Sequence, residues 1–207
     1  MSSLTAFNTF FRVASLTYPV PFSTRDTVAT ETLALAHDRA WVDAVLTARV
    51  EPAAERRLGL PVTRAVAARA RAATGGTLRA ARLALEEGIA LNAAGGSHHA
   101  LRTGGAGFCV FNDLAVTSLA LLAEGRVRRI TILDLDVHQG DGTASILAGE
   151  PRVTTVSLHC RCNWPARKQQ SSLDLALDPG TGDRPYLELL DGLLPGLLRR
   201  TAPDLVL

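Results

Sequence analysis

The sequence predicts an α/β protein with a parallel sheet that helices cover on both faces. Helical periodicity at residues 113 to 124 and 142 to 148 alternates with apolar strand signals at residues 130 to 135 and 153 to 158. Because this alternation is typical of parallel sheets made of βα units, we expect functional side chains to gather at the carboxyl ends of the strands.

The elements before and after this repeat are predicted from periodicity in the same way. A break in helical structure is expected at residues 74 to 77, Thr-Gly-Gly-Thr, because glycine is a poor helix former. Gly88 is expected to end a further helix, and Pro195 to kink the last one. The remaining predicted elements are helices at residues 31 to 50, 62 to 73, 78 to 87 and 185 to 200, and strands at residues 89 to 91 and 203 to 207.

The size of the chain indicates a single domain over residues 1 to 207, since 207 residues with 47% hydrophobic content can bury a sizeable core. Residues 1 to 28 show no clean periodicity. The formal net charge is only +2, from 22 basic and 20 acidic residues, far from the clustered surplus that phosphate neutralisation requires. We therefore expect no direct nucleic-acid partner.

The cysteine content favours a reducing compartment. Cys109, Cys160 and Cys162 cannot all pair in disulfides, and the last two lack the two-residue spacer of a thiolate zinc clasp. Arg12 interrupts the apolar run near the N-terminus, which argues against a signal peptide. No stretch approaches the ~20 apolar residues that span a bilayer. We expect a cytoplasmic protein without a membrane partner.

The strongest signal for chemistry lies in residues 133 to 142, Leu-Asp-Leu-Asp-Val-His-Gln-Gly-Asp-Gly, which leave an apolar strand and end in a glycine-rich turn. Because side chains alternate along a strand, Asp134, Asp136 and His138 are expected to point to one side. Asp136 and His138 offer an oxygen and a nitrogen to a zinc ion, and Asp134 is placed to orient a neighbouring imidazole. The alternative is a polar strand terminus without a metal.

The second signal is the tandem pair His98 and His99, in Gly-Gly-Ser-His-His, directly after a predicted strand. Hydrolysis at a metal-activated water needs a base that takes a proton and an acid that gives one to the leaving amine, and two imidazoles can share these tasks. A carboxylate on one ring nitrogen fixes the tautomer, and Asp134 and Asp141 are the candidates. A surface loop without function is the alternative.

The third signal is the glycine-rich run at residues 104 to 113, in which Gly107 and Phe108 precede a helix that Asn112 or Asp113 is expected to cap. Glycines let the backbone approach a ligand closely. The run lacks the Gly-Lys-Ser/Thr of a phosphate-binding loop. The alternative is a simple lead into the helix, with Phe108 in the core.

Together and in this order, the segments resemble the histone deacetylase and acetylpolyamine amidohydrolase superfamily, most of all its class IV histone deacetylases and their bacterial relatives. The resemblance covers residues 74 to 207, whereas residues 1 to 28 form a divergent segment. It implies an arginase-like, deacetylase-like three-layer αβα fold with a parallel sheet, incomplete at the C-terminus. The implied reaction is hydrolysis of an amide to a free amine and acetate or a longer acid.

The resemblance also implies roles for individual residues. Asp136 and His138 correspond to two of three zinc ligands, and His98 and His99 to the catalytic histidine pair, with Asp134 and Asp141 behind them. Gly107 and Phe108 correspond to the lining of a tunnel for an acylated lysine or polyamine arm. The implied shell of a structural potassium ion consists of Asp134, Asp136, His138, Ser157 and Leu158.

Two elements of the family's site have no counterpart in the sequence. The third zinc ligand and an oxyanion-stabilising tyrosine are expected beyond residue 207, since Tyr18 and Tyr186 both lie outside matching motifs. Gly140 occupies the position where a two-metal site needs a carboxylate, which favours one metal. The leading hypothesis is a truncated zinc-dependent deacylase, and the alternative is an inactive form that binds acylated ligands or a partner.

Overall fold

The computed structural model describes residues 27–207, and the divergent segment of residues 1 to 28 lies almost wholly outside them. The helices of this part are α1 (Thr30–Ala36), α2 (Arg39–Leu46), α3 (Pro52–Leu58), α4 (Arg64–Glu87), α5 (Asp113–Ala123), α6 (Asp141–Leu147) and α7 (Asp183–Thr201). The strands are β1 (Ile130–Asp134), β2 (Val153–Cys160), β3 (Leu173–Leu177) and β4 (Leu205–Val206).

The strands form a parallel sheet in the order β3-β2-β1-β4, which confirms the predicted fold class. The two inner strands β1 and β2 are aligned from Ile130 opposite Val153 to Asp134 opposite Ser157. Because Asp134 is the last residue of β1, the Asp/His motif begins at the carboxyl edge of the sheet. This is the edge at which open α/β sheets place their ligands.

Helices cover the sheet on both faces. On one face, Ile130 and Ile132 of β1 are buried with apolar residues of α1, α2, α4, α5 and α6. On the other face, Val156 and Leu158 of β2 pack against Leu197 of α7. Burial on both faces explains why the inner strands are apolar almost throughout. Within residues 27–207, no helix is long and apolar enough to cross a membrane.

The helix predicted at residues 31 to 50 is wrong, because α1 and α2 are separated by His37 and Asp38 in extended conformation. The buried His37 ring lies between two distant segments. Its Nδ1 lies 2.9 Å from the carbonyl oxygen of Leu101, and its Nε2 accepts the Asn112 N–H at 2.9 Å. These contacts stabilise the break, which periodicity does not reveal.

The break predicted at residues 74 to 77 is also wrong, because α4 runs through the Thr-Gly-Gly-Thr segment. Each glycine costs a helix about 1 kcal/mol, and tertiary packing overrides that cost. A Cβ atom at Gly76 would lie 3.0 Å from the Asn92 amide nitrogen, so the glycine admits that side chain. Asn92 in turn donates to Ala73 and Thr77, which joins α4 to the segment before the histidine pair.

One predicted strand is wrong, and one strand of the sheet was not predicted. Residues 89 to 91 form an irregular segment, with Ile89 and Leu91 61% and 89% exposed, because the chain leaves α4 at Gly88 without meeting a strand. Conversely, β3 lacks a prediction, since its Leu-Asp-Leu-Ala-Leu sequence is short. Its pairing with β2, from Val156 opposite Leu173 onward, makes it a strand.

Candidate active site

Each of the tandem histidines contacts its own carboxylate. The Nδ1 of His98 lies 2.6 Å from Asp134 Oδ2, and the Nδ1 of His99 lies 2.7 Å from Asp141 Oδ1. Because a carboxylate only accepts hydrogen bonds, each Nδ1 carries the hydrogen and each Nε2 is left with a lone pair. Both imidazoles are buried, and their ring centroids are 3.9 Å apart. The pairs expected from the sequence therefore form.

The backbone that carries the two imidazoles is tied to the start of α5. The predicted cap is Asn112, whose side chain accepts from the Ala115 N–H and donates to the carbonyl oxygens of His98 and Ala100. Asp113 has a different role from the one expected. Its carboxylate is buried and accepts the N–H groups of Gly96 and Ser97 and the hydroxyl of Thr77.

Hydrogen bonds from two helices hold this loop. Gly96 and Ser97 donate to Asp113 at 2.9 and 2.7 Å, and Thr143 N–H donates to the His98 carbonyl at 3.0 Å. Since these partners come from α5 and α6, the tertiary structure fixes the loop from two sides. The Asn112 and Asp113 contacts have no local signal in the sequence, apart from the capping preference of the pair.

The turn after β1 requires glycine for space. A Cβ atom at Gly140 would overlap Asp134 Oδ2 and approach His98 Nδ1 to 3.2 Å, and one at Gly142 would overlap the Ala100 carbonyl. The two glycines therefore let the carboxylate and imidazole pairs lie directly against the turn. This is the physical reason for the Gly-Asp-Gly ending of the motif.

Asp136 and His138 lie together at the edge of this turn, but not through strand alternation as expected. β1 ends at Asp134, and the chain then curls because Asp134 and Asp136 each accept the N–H two residues on, at 3.0 and 2.7 Å. Such side-chain to backbone bonds mimic a turn. As a result, His138 Nδ1 lies 2.9 Å from Asp136 Oδ1, and His98 Nε2 lies 3.9 Å from the same oxygen.

The charges of the site act on one another. Burial lowers the pKa of His98, but its hydrogen bond to Asp134 and the charges of Asp134, Asp136 and Asp141 outweigh this effect, so the net pKa is raised. Burial raises the pKa of Asp136, but the N–H of His138 and the charges of His98 and His138 outweigh it, so the net pKa is lowered. The site therefore favours a carboxylate at Asp136 and a basic imidazole at His98.

Gly107 and Phe108 stand beside the histidines in left-handed backbone conformation, with φ of 52° and 64°. The Phe108 N–H donates to the Leu58 carbonyl at 2.7 Å, which holds this strained turn. The Phe108 ring is 71% exposed, so the alternative of a core phenylalanine is wrong. A Cβ atom at Gly107 would lie 2.8 Å from the His99 ring and 2.9 Å from the Trp164 ring, so the glycine lets both rings pack against the backbone here.

Trp164 completes the surroundings of His99 and was missed by the sequence reasoning. Its ring centroid is 4.3 Å from that of His99 at an interplanar angle of 85°, and 6.3 Å from that of His138. Trp164 is 42% exposed and also lies against Gly107. The available signal was its place in the loop after β2, since aromatic residues that follow the carboxyl ends of parallel strands often face ligands.

Two side chains at the site are of types that bind zinc. Asp136 and His138 present oxygen and nitrogen atoms 2.9 Å apart, as two ligands on one ion would be, and both residue types bind zinc. Within residues 27–207, however, no group of three or more histidine, cysteine or acidic side chains could hold a metal ion. A catalytic zinc site has three protein ligands. Asp136 and His138 are thus two candidate donors for such a site.

The chain is similar to proteins of known family. The profile of the histone deacetylase domain matches residues 6–207. An uncharacterized protein of Picosynechococcus sp. is 48% identical over 174 residues, 84% of this chain and 58% of that protein, and a probable deacetylase of Archaeoglobus fulgidus is 34% identical over 152 residues, 67% of this chain and 42% of that protein. The chain thus spans about half the length of these relatives.

The fold comparison agrees. The crystal structure of a histone deacetylase homolog from Aquifex aeolicus superposes with a TM-score of 0.71 at 26% identity, over 84% of this chain and 52% of that one. The parallel sheet, the buried histidine pair and the Asp/His turn therefore occur in a chain that matches the domain profile over nearly its whole length. The chain belongs to the histone deacetylase family.

Proposed function

We propose that the protein is a deacylase, which hydrolyses the amide bond of an acylated lysine or polyamine. The observation that carries this proposal is the pairing of both buried imidazoles with carboxylates, next to the two zinc-type donors Asp136 and His138. The reaction adds water to an amide and yields a carboxylic acid and an amine. It requires a proton to leave water and another to reach the leaving nitrogen.

The two imidazoles provide the proton transfers. His99 takes and returns a proton at Nε2, since its Nδ1 is held by Asp141 at 2.7 Å. The raised pKa of His98, held by Asp134, favours its protonated form, in which the Nε2–H stabilises the negative charge that develops beside it. Both carboxylates maintain the tautomer that leaves Nε2 available.

Asp136 and His138 would hold a zinc ion together with a third ligand that is not among the described residues. When bound, zinc polarises the amide carbonyl and lowers the pKa of water. Asp136 suits this position because its pKa is lowered, so it stays ionised and able to bind a cation. The structural potassium ion and the cytoplasmic location stay predictions.

The substrate arm would lie between exposed aromatic rings. Trp164 is partly exposed and lies against His99 and Gly107. Phe108, next to Gly107 in the chain, is 71% exposed and offers a second apolar surface. The aliphatic stem of a lysine or polyamine gains contact with such rings without needing a charged partner. This favours a long unbranched amine over a compact substrate.

The test is hydrolysis of an acetyl-lysine peptide by zinc-loaded protein, with the free amine and acetate both quantified. We expect equal amounts of the two products and loss of turnover in His138→Ala. The control is Asp43→Asn, which changes an exposed carboxylate on α2. Zinc-loaded protein of the length of its relatives that releases neither product would contradict the proposal.

A second candidate is an inactive protein that binds acylated ligands. The exposed side chains of Phe108 and Trp164 would provide it with an apolar contact surface. Isothermal titration with an acetyl-lysine peptide distinguishes the two. Binding without product release, both for wild type and for His99→Ala, would support the second candidate.

A further inference from the structure

The loop of residues 161–172 carries Trp164 from the end of β2 to the ring of His99. Its turn is closed from within by Lys168, whose ammonium donates to the carbonyl oxygens of Asn163 and Pro165 at 2.5 and 2.7 Å. The residues on either side of Trp164 are thus tied to Lys168. The position of the whole turn then depends on what holds the next residue, Gln169.

Gln139 holds that residue. Its buried amide donates to the Gln169 carbonyl at 2.8 Å and accepts the Gln169 N–H at 2.8 Å. It also donates to Asp174 Oδ1 at 2.7 Å, while Asp174 Oδ2 accepts the Ser171 N–H at 2.8 Å. The side-chain amide of Gln139 is therefore used entirely on the loop and the start of β3.

The backbone of Gln139 lies in the turn after β1, the segment that carries Asp136 and His138. Gln139 follows His138 directly, and its carbonyl accepts the N–H of Asp141 at 2.8 Å. Asp141 is the carboxylate that holds His99. One residue thus connects the loop of Trp164 to the turn that positions His99 and His138.

We propose that Gln139 is the positioning residue of Trp164. Its amide clasps the loop at Gln169 and Asp174, and this sets the distance between the Trp164 indole and the His99 imidazole, and with it the width of the approach to the site. The effect on substrate rests on the proposed deacylase function. The placement of the indole does not, so it is measured separately.

The placement is read by fluorine NMR of protein labelled with 5-fluorotryptophan. The chain has two tryptophans, so two resonances are expected, and Trp164→Phe assigns them. Trp41 is buried, with its Nε1–H on the Val110 carbonyl, and serves as an internal reference for folding. In Gln139→Leu, we expect the Trp164 resonance to shift toward that of a solvated indole, with Trp41 unchanged.

The size of the change follows from the bonds removed. Loss of the clasp should raise the population of the open loop by roughly tenfold or more, since a buried hydrogen bond is worth about a factor of five. Gln169→Ala is the matched control, because the clasp uses only the backbone of Gln169 and its side chain is exposed. Its Trp164 resonance should equal that of wild type. An unshifted Trp164 resonance in folded Gln139→Leu would overturn the proposal.

Two more conservative variants test the clasp in case Gln139→Leu does not fold. Gln139→Glu places a carboxylate against that of Asp174 and removes the two hydrogen bonds that the Gln139 amide donates. It should therefore shift the Trp164 resonance. Adding Asp174→Asn restores a side-chain hydrogen bond of reversed polarity, because the new amide donates to the new carboxylate. We expect this double variant to recover the resonance at least in part. Identical spectra for the single and double variants would refute the clasp.

Kinetics then connect the clasp to substrate. In active protein, Gln139→Leu should raise KM more than it lowers kcat, because the pair of His99 and Asp141 is left intact. A fall in kcat alone would contradict a role in substrate approach. If wild type turns over no acylated amine, the proposed function fails, while the Trp164 resonances still decide whether Gln139 positions the indole.

Discussion

The two halves of the candidate site differ in how the fold holds them. His98 and His99 are buried, each imidazole contacts its own carboxylate, and the backbone between them is tied by Asn112. Asp136 and His138 have side chains that are 50% and 38% exposed, and they bond mainly to each other and to the turn. Tertiary contacts hold the histidine pair in place, whereas Asp136 and His138 are open to solvent.

The difference indicates which chemistry this part of the chain organises by itself. Proton transfer depends on groups held at hydrogen-bond distance, so a locked imidazole pair is prepared before any ligand arrives. An exposed carboxylate and imidazole gain little from each other in water. Under the proposed function, a bound cation would hold Asp136 and His138 in place.

The largest effect is expected for His99→Ala. In protein that turns over an acetyl-lysine peptide, kcat should fall by about 10² to 10⁴, because a general acid or base is lost, whereas KM should change little. Steady-state kinetics provide the measurement, and the fluorine resonance of Trp41 shows that the fold is kept. Near-normal turnover would remove His99 from the mechanism.

Asp113→Ala should weaken the attachment of the loop before His98 and His99 to α5. The change leaves the N–H groups of Gly96 and Ser97 and the hydroxyl of Thr77 without their acceptor, so the free energy of unfolding should fall by about 3 kcal/mol or more. Urea denaturation measures the loss. Asp43→Ala, an exposed carboxylate on α2, is the control and should change stability by less than about 0.5 kcal/mol. Equal losses in the two variants would show that the loop is not locked by Asp113.

Low pH should destabilise the protein next to the histidine pair, because the buried His37 then takes up a proton. Burial lowers the pKa of His37 to about 4, and its Nε2 accepts the Asn112 N–H, so a proton there has no acceptor. Since the folded pKa lies below the ordinary value of 6.5, the stabilisation is complete above pH 6.5 and is lost as the pH falls toward 4. A shift of this size corresponds to about 3 kcal/mol.

Denaturation curves at several pH values, for wild type and His37→Gln, isolate this contribution. Glutamine can accept from Asn112 and donate to Leu101 without titrating. The difference in unfolding free energy between the two proteins should therefore change between pH 6.5 and 4 and stay constant above that range. A constant difference across the whole range would exclude His37 as the titrating group.

The smallest effect on stability is expected for His138→Ala. Without zinc, the free energy of unfolding should change by less than about 0.5 kcal/mol, because this exposed side chain mainly contacts Asp136. With zinc, wild type should gain thermal stability and His138→Ala should not, since a ligand stabilises only the state that binds it. Asp136→Ala should behave like His138→Ala. Zinc stabilisation that survives both changes would place the metal elsewhere.

The parts of the candidate site that lie close together along the chain were predictable from the sequence. Asp134, Asp136 and His138 lie two residues apart beyond an apolar strand, and that spacing brought all three to the sheet edge. The mechanism was different from the expected alternation, because the strand ends at Asp134. The βα alternation likewise predicted α5, β1, α6 and β2 within a few residues.

Predictions failed where distant contacts override local preference. α1 and α2 separate at His37, which bonds to residues 64 and 75 positions away along the chain. The glycines of α4 stay helical because Asn92 packs against Gly76. Nothing in a window of ten or fifteen residues carries these contacts, so periodicity predicted one long helix in the first case and a break in the second.

Residue type and periodicity are local properties, so they were enough to predict the chemical groups of the candidate site and the parallel strands that carry them. The packed fold was needed to show that Asp113 holds the histidine loop, that Gln139 reaches the loop of Trp164, and that Trp164 lies beside His99. Each of these contacts joins segments that meet only after the sheet and its helices pack. Their hydrogen bonds depend on how closely two backbones approach, which no single segment specifies.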